Sequence, residues 1–250
     1  MSQNKSPLDH PEIRTLFDNL LINLVAESDR GAVLIGTSYV DEHLRKLFEM
    51  IIPCDMSKDK RKALLDYPGP LSTLAAKTEV AFATRLIDRT VYDSLHALRR
   101  IRNDLAHSSD PFNLRTQEDR IRKIYVLGDG VPTFINRTAI EILVRSKVEV
   151  LLEIKHPEEQ KTYFNTPQEV LEYISKQPNL IGLLEEQRPK YELVIGIALL
   201  CALIVSHRED AVALVGSDLT LGRLHTKLCR EDISEVLQDQ KLDDLSTDSI

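Results

Sequence analysis

The feature that most limits the fold of this chain is helical periodicity over residues 10–110. Four segments there carry apolar side chains every three or four residues, the spacing that places them on one face of an α-helix. Short connections join the segments, which is typical of helices packed side by side. The pattern predicts an antiparallel helical bundle with this core: Ile13, Phe17, Leu20, Leu24, Val40, Leu44, Leu47, Leu95, Leu98 and Leu105.

Cap residues predict where these helices begin. Residues 9–12, Asp-His-Pro-Glu, combine an acidic cap with a proline suited to the first turn. Ser28 or Asp29 can cap the second helix, and Asp88 can cap the fourth. Between the second and fourth helices, the Tyr-Pro-Gly-Pro run at 67–70 is a firm break.

The second half of the chain is predicted to be mostly helical, with one exception. Residues 123–135 place β-branched runs on both sides of Gly-Asp-Gly, which predicts a short β-hairpin, although Pro132 weakens its second strand. The most apolar run, Leu193–Val205, is shorter than the roughly 20 residues that span a bilayer. We therefore expect it to form a buried helix.

These patterns together predict a mainly α protein. We expect four parts in chain order: a disordered N-terminus (1–9), the bundle (10–110), a mostly helical C-terminal region (111–238) and a disordered acidic tail (239–250). The polar first residues do not resemble a signal peptide, so a cytoplasmic protein without a membrane segment is expected.

Charge and cysteine content exclude several classes of function. The net charge of −7 and the lack of a recognition helix argue against specific binding to duplex DNA. Three widely spaced cysteines, without a Cys-x-x-Cys pair, suggest neither disulfides nor a zinc site. The seven histidines show no metal-ligand spacing, so no metal or cofactor is expected.

Residues 99–107, at the predicted end of the fourth helix, contain a dense group of polar side chains that could bind an anion or transfer a proton. They contain the pattern Arg-Asn-x-x-x-His, formed by Arg102, Asn103 and His107. An arginine fork matches a phosphate, and an imidazole transfers protons near neutral pH. The three residues are therefore candidates for metal-free cleavage of RNA, with Arg102 stabilising charge, Asn103 positioning the phosphate and His107 acting as base or acid.

Helix geometry favours a structural role for the same arginine. On an unbroken helix Arg102 and His107 point about 140° apart, whereas Asn103 and His107 share a face. Arg102 falls on the apolar stripe, so we expect it to be buried and paired with Glu27 or Asp29 at the start of the second helix. Arg30 is a further candidate for this ion-pair cluster. His107 would then only stabilise the helix C-terminus.

Three motifs in order resemble the mannitol operon repressor (MltR) family over roughly residues 10–110. They are Glu-Ser-Asp-Arg-Gly-Ala-Val-Leu-Ile-Gly at 27–36, Gly-Pro-Leu-Ser at 69–72 with Ala-Lys at 76–77, and Ile-Arg-Asn-Asp-Leu-Ala-His at 101–107. The resemblance implies an all-helical transcriptional regulator without an evident DNA-reading motif. The last motif also resembles the signature of HEPN domains, a helical superfamily rich in metal-independent ribonucleases and toxin components. Residues 111–250 depart from the short family pattern.

Three functions remain open at this point. The first is a regulator of the mannitol operon repressor type that acts through protein contacts, either with a partner or as a homodimer. The second is a HEPN-type metal-independent ribonuclease or toxin, the one case in which RNA is a partner. The third is a small-molecule sensor with a pocket between the bundle and the second half.

Overall fold

A computed structural model describes residues 10–107, 112–156 and 161–216 of the chain; the side chains of His107 and of residues 213–216 lie outside the described part. The described residues form helices joined by turns, with a single isolated antiparallel bridge between Lys155 and Thr162. The predicted mainly α class is confirmed. The helices are α1 (Pro11–Ala26), α2 (Asp29–Ile51), α3 (Lys58–Leu65), α4 (Leu74–Ala83), α5 (Arg89–His107), α6 (Glu118–Arg122), α7 (Val131–Glu153), α8 (Pro167–Ser175) and α9 (Pro178–Gly216).

Helix α2 is the common neighbour of the first half, where it packs against α1, α4 and α5. Nine of the ten predicted core residues are buried. The exception, Phe17, is half-buried because it lines a cavity described below.

The helix starts follow from side-chain caps, largely as the sequence predicts. The Ser28 hydroxyl accepts a hydrogen bond from the backbone N–H of Gly31, and the Asp88 carboxylate accepts one from Val91. Helix α1 differs in its cap, since the His10 ring accepts the first N–H in place of a carboxylate. Asp9 itself lies outside the described residues.

The β-hairpin predicted over residues 123–135 is not formed. A 3₁₀ turn at Lys123–Tyr125 leads through Gly128 and Gly130, both with positive φ, into helix α7. Pro132 lies in the first turn of that helix, where a backbone N–H has no hydrogen-bond acceptor within the helix. The proline therefore costs no hydrogen bond at this position. The proline that weakens a strand therefore starts a helix, and the β-branched residues after it adopt helical backbone.

The residues of α9 from Leu193 to Val205 are almost all buried, as predicted for the most apolar run. The helix begins earlier than its apolar run and contains Pro189. Residues Pro178–Val212 are long and apolar enough to cross a membrane by composition alone, but 78% of the most apolar stretch is buried inside the protein. That burial is compatible with the core helix of a soluble protein.

Helix α9 approaches α2 closely at Gly36. A methyl group added at Gly36 would lie 2.2 Å from Cδ1 of Ile197, whose side chain is fully buried. The absent side chain thus lets the two helices pack together. The described residues up to Arg208 belong to one compact unit, and Glu209 begins a second, whose described residues are helical.

A polar cluster around Glu192 is buried inside the same unit. Glu192 is 0% exposed and accepts hydrogen bonds from the Tyr125 hydroxyl at 2.7 Å, Asn136 Nδ2 at 2.6 Å and an Arg188 nitrogen at 2.6 Å. Arg188 also binds Glu118 at 2.9 Å. Burial, followed by the carboxylate of Glu192, raises the pKa of Tyr125 well above its usual range, so the phenol stays a hydrogen-bond donor.

A second carboxylate, Glu12, joins α1 to α2 and α9. It binds Arg208 at 2.6 Å and Lys46 at 3.2 Å, and Nε2 of His43 lies 3.4 Å away. The hydrogen bond from Arg208 is the main cause that lowers the pKa of Glu12 to about 2. Burial lowers the pKa of His43 below its usual value, which favours the neutral ring.

Candidate functional site

The three motifs singled out in the sequence meet at one groove of about 660 Å³. Its walls are one face of α2 from Leu34 to Arg45, residues 72–75 at the start of α4, and Arg99, Arg102 and Asn103 of α5. We call this feature the motif groove. Its position is set by α2, which contacts both α4 and α5.

Arg102 lies in the motif groove, so the prediction that it is buried and paired with Glu27 or Asp29 is wrong. The side chain is exposed, and its guanidinium has one polar neighbour, Oδ1 of Asn103 at 3.5 Å. On a helical wheel Arg102 falls beside Leu95 and Leu98. At this level of α5, however, that face meets the open groove rather than a packed helix.

Arg99 is half-buried beside Arg102 and is held by a chain of polar contacts. Its guanidinium lies 3.1 Å from Nδ1 of His96, and Nε2 of His96 lies 3.1 Å from Glu79. The Tyr92 hydroxyl donates to the same Glu79 at 3.0 Å. The chain fixes the direction of Arg99 without placing a carboxylate directly against it.

The other charges of the motif groove are already paired. Arg45 binds Asp66 at 2.6 Å and Glu49 at 2.9 Å, and these contacts, Asp66 first, raise its pKa. Glu42 lies 3.2 Å from Lys46. Within the described part of the chain, Arg99 and Arg102 are therefore the groove cations that carry no carboxylate partner.

The first turn of α4 adds a weaker positive field to the motif groove. Thr73 caps this helix by accepting a hydrogen bond from the N–H of Ala76, and residues 72–75 face the groove. A helix N-terminus carries a partial positive charge that favours anions. Together with the two arginines it makes the groove suited to a phosphate group.

Asp29 at the start of α2 does take part in an ion pair, but with Lys190 of α9 and not with Arg102. The Lys190 ammonium lies 3.1 Å from Asp29 and donates to the backbone carbonyl of Glu27 at 2.8 Å. Asp29 also accepts a hydrogen bond from the N–H of Leu114 at 2.9 Å. Arg30 is half-buried in the first turn of α2. Lys190 could not be predicted as the partner, because it is 161 positions away from Asp29 and no local sequence pattern joins the two residues.

His107 is the last residue of α5, and its side chain lies outside the described residues. Asn103 is exposed in the motif groove, one helical turn before it. The predicted triad is thus seen as two residues, Arg102 and Asn103, that share the groove. In the described part of the chain no three His, Cys, Asp or Glu side chains are grouped so as to hold a metal ion.

A second cavity of about 360 Å³ lies between α1, α7 and α9. Its walls are mainly apolar and include Phe17, Phe134 and Leu199, with Arg14 and Asp18 also lining it. The sensor hypothesis requires a pocket between the bundle and the second half, and this cavity has that location. Binding of a small molecule there stays a prediction.

Comparison with known proteins identifies no relative: no family model, no curated protein and no solved structure matches this chain.

Proposed function

We propose that this protein is a metal-independent endoribonuclease that binds single-stranded RNA in the motif groove. The observation that carries the proposal is the exposure of Arg102 beside Arg99 and Asn103, with no carboxylate paired to either arginine among the described residues. Two unneutralised guanidinium groups in a concave site attract a phosphodiester. A purely structural arginine would instead be sealed against a carboxylate.

Each residue of the motif has a distinct role in this proposal. Arg102 stabilises the charge that develops on the phosphorane, and Arg99 holds the adjacent non-bridging oxygen. Asn103 orients the phosphate through its amide, whose oxygen already faces Arg102. His107 ends the same helix four residues after Asn103, and its role in this proposal is to transfer a proton.

RNA suits this site better than DNA because no metal is needed when the ribose 2′-hydroxyl is the nucleophile. The net charge of −7 also disfavours non-specific binding of nucleic acid over the whole protein surface, so RNA recognition depends on the two arginines of the groove. Single strands can bring a phosphate into a groove with helical walls, whereas an RNA duplex is read mostly by its shape.

The test is cleavage of a mixed-sequence single-stranded RNA by the purified protein in EDTA. We expect products with 2′,3′-cyclic phosphate ends, and a loss of about 10²–10⁴-fold for His107→Ala. Arg102→Ala should lose about 10²–10³-fold, the effect of removing one charge-stabilising donor. Arg100→Ala is the matched control, since Arg100 is exposed on the same helix but does not line the motif groove. Equal cleavage by all four proteins, or none by the wild type, would refute the proposal.

A second candidate is a regulator of the mannitol operon repressor type that acts through protein contacts, with a homodimer among its forms. The observation that favours it is a concentration of exposed apolar side chains in the second half. Nine large ones fall between residues 134 and 183: Phe134, Ile140, Val150, Ile154, Tyr163, Leu171, Tyr173, Ile181 and Leu183. Exposed apolar side chains can contribute to an interaction surface where they lie side by side.

Light scattering at several protein concentrations tests the homodimer. We expect a dimer that Leu183→Glu weakens by at least tenfold in dissociation constant, whereas a monomer at all concentrations would refute self-association. Specific duplex DNA binding is not expected under either function. We place both activities in the cytoplasm, where the free thiols of Cys54 and Cys201 remain reduced.

A further inference from the structure

One carboxylate of the motif groove has an ion-pair partner that is buried in the protein. Asp41 of α2 lines the groove, and its side chain is 35% exposed. Its Oδ1 atom is buried and lies 2.8 Å from Nζ of Lys77. The exposed part of the carboxylate, which includes Oδ2, is therefore the part available to a ligand in the groove.

Lys77 is unusual because its side chain is only 2% exposed. It belongs to α4, in the Ala-Lys pair that the sequence analysis singled out, and Asp41 is its ion-pair partner. A buried ammonium requires such a partner, since an isolated charge in the interior is strongly disfavoured. The pair also restrains Asp41, because the Lys77 ammonium lies beside the buried Oδ1 atom of the carboxylate.

The neighbouring carboxylate does not share this arrangement. Glu42 also lines the motif groove, but it is 57% exposed and pairs with Lys46, which is itself partly exposed. Two long, solvated side chains hold no single geometry. Asp41 is thus the groove carboxylate whose counterion is buried, and it lines the same groove as Arg99 and Arg102 of α5.

We propose that Asp41 is the general base of the motif groove, an inference that rests on the ribonuclease function proposed above. Its carboxylate takes the proton of the ribose 2′-hydroxyl while the 2′-oxygen forms a bond to phosphorus. The bond from phosphorus to the 5′-oxygen breaks, and that oxygen takes a proton from the His107 imidazolium. The products are a 2′,3′-cyclic phosphate and a free 5′-hydroxyl. Asp41 then releases its proton to water, and His107 takes one up.

This assignment supplies the group that the sequence motif lacks. Metal-free cleavage of RNA needs a base and an acid, and Arg-Asn-x-x-x-His contains a single residue that transfers protons near neutral pH. Asp41 comes from a different helix, 66 positions before His107. Lys77 is a positioning residue in this scheme, since it contacts Asp41 rather than the RNA.

The decisive variant is the double substitution Asp41→Asn with Lys77→Met. The single change Asp41→Asn leaves a buried ammonium without a counterion and is expected to destabilise the fold. The double change removes both charges, so it preserves the fold while removing the base. Asp93→Asn is the matched control, because it neutralises an exposed carboxylate of α5 that does not line the motif groove. Thermal unfolding followed by circular dichroism verifies that each protein is folded.

Two measurements separate proton transfer from RNA binding. Cleavage is followed on a single-stranded RNA oligonucleotide, and affinity on the same oligonucleotide with 2′-O-methyl riboses, which cannot be cleaved. We expect the double variant to bind the methylated strand within about threefold of the wild type and to cleave at least about 100-fold more slowly. Asp93→Asn should stay within about threefold of the wild type in both measurements.

Other outcomes overturn the inference in distinguishable ways. If the folded double variant cleaves as fast as the wild type, Asp41 serves only to neutralise Lys77, and the ribonuclease function stands. If its affinity falls as much as its rate, Asp41 contributes to binding rather than to proton transfer. If the wild type binds the methylated strand but does not cleave RNA, the ribonuclease function fails, and the assignment of Asp41 fails with it.

Discussion

Replacing Glu192 tests whether the buried polar cluster holds α9 in place. Glu192→Ala removes the acceptor for three donors: Tyr125, Asn136 and Arg188. Breaking a buried ion pair by removing one partner costs about 3–5 kcal/mol. Arg188 keeps its contact with Glu118, so we expect the lower end, about 3 kcal/mol of unfolding free energy. For a chain of this size that corresponds to a melting temperature about 6–12 °C lower.

Two further variants make the reasoning on Glu192 testable. Tyr125→Phe removes one hydrogen bond to a charged group, so its cost should be about 1.5–3 kcal/mol. Glu186→Ala, an exposed glutamate on the same helix, should change the free energy by less than about 0.5 kcal/mol. Urea unfolding followed by circular dichroism measures all three. A loss below about 1 kcal/mol for Glu192→Ala would show that its three contacts do not stabilise the fold.

Three other predictions concern the loss of folding stability at low pH, helix packing and the motif groove. The folded-state pKa of Glu12 is about 2, below its unfolded value, because of Arg208; the stability that it contributes is therefore present above about pH 5 and lost as pH falls toward 2. Glu12→Gln should flatten acid unfolding curves over that range, and an unchanged curve would contradict this. Gly36→Ala should cost about 1–3 kcal/mol in urea unfolding, since the new methyl meets Ile197, and a neutral effect would refute the close packing. Arg102→Ala should change the melting temperature by less than about 2 °C, because the side chain is exposed; a larger drop would indicate a structural role.

The sequence predicts the fold well where local physics decides it. The caps at Ser28 and Asp88 form as expected, because a side-chain oxygen three residues before a free N–H is a local arrangement. Helical periodicity likewise identifies nearly all of the predicted core. The hairpin prediction fails since β-branched residues prefer strands only weakly, and packing decides their conformation.

The candidate site is less predictable because its geometry depends on where neighbouring helices end. The helical wheel places Arg102 correctly on its own helix, but it contains no information on what faces that side of α5. The Lys77–Asp41 pair and the Lys190–Asp29 pair join residues that are far apart in the sequence. A lysine on an apolar face is the one local sign that a buried partner is needed, and it does not identify that partner.

The position of the most apolar helix at the C-terminal side of the fold has a consequence for biosynthesis. Residues 193–205 emerge from the ribosome after α1 and α2, whose packing includes the contact with Ile197. At a synthesis rate of about 5–20 residues per second, Ile197 is made on the order of ten seconds after α2. During this interval the apolar face of α2 is open to solvent and to other chains. Production of the soluble protein should therefore depend on chaperones. Protein translated from an mRNA that ends before α9 should aggregate.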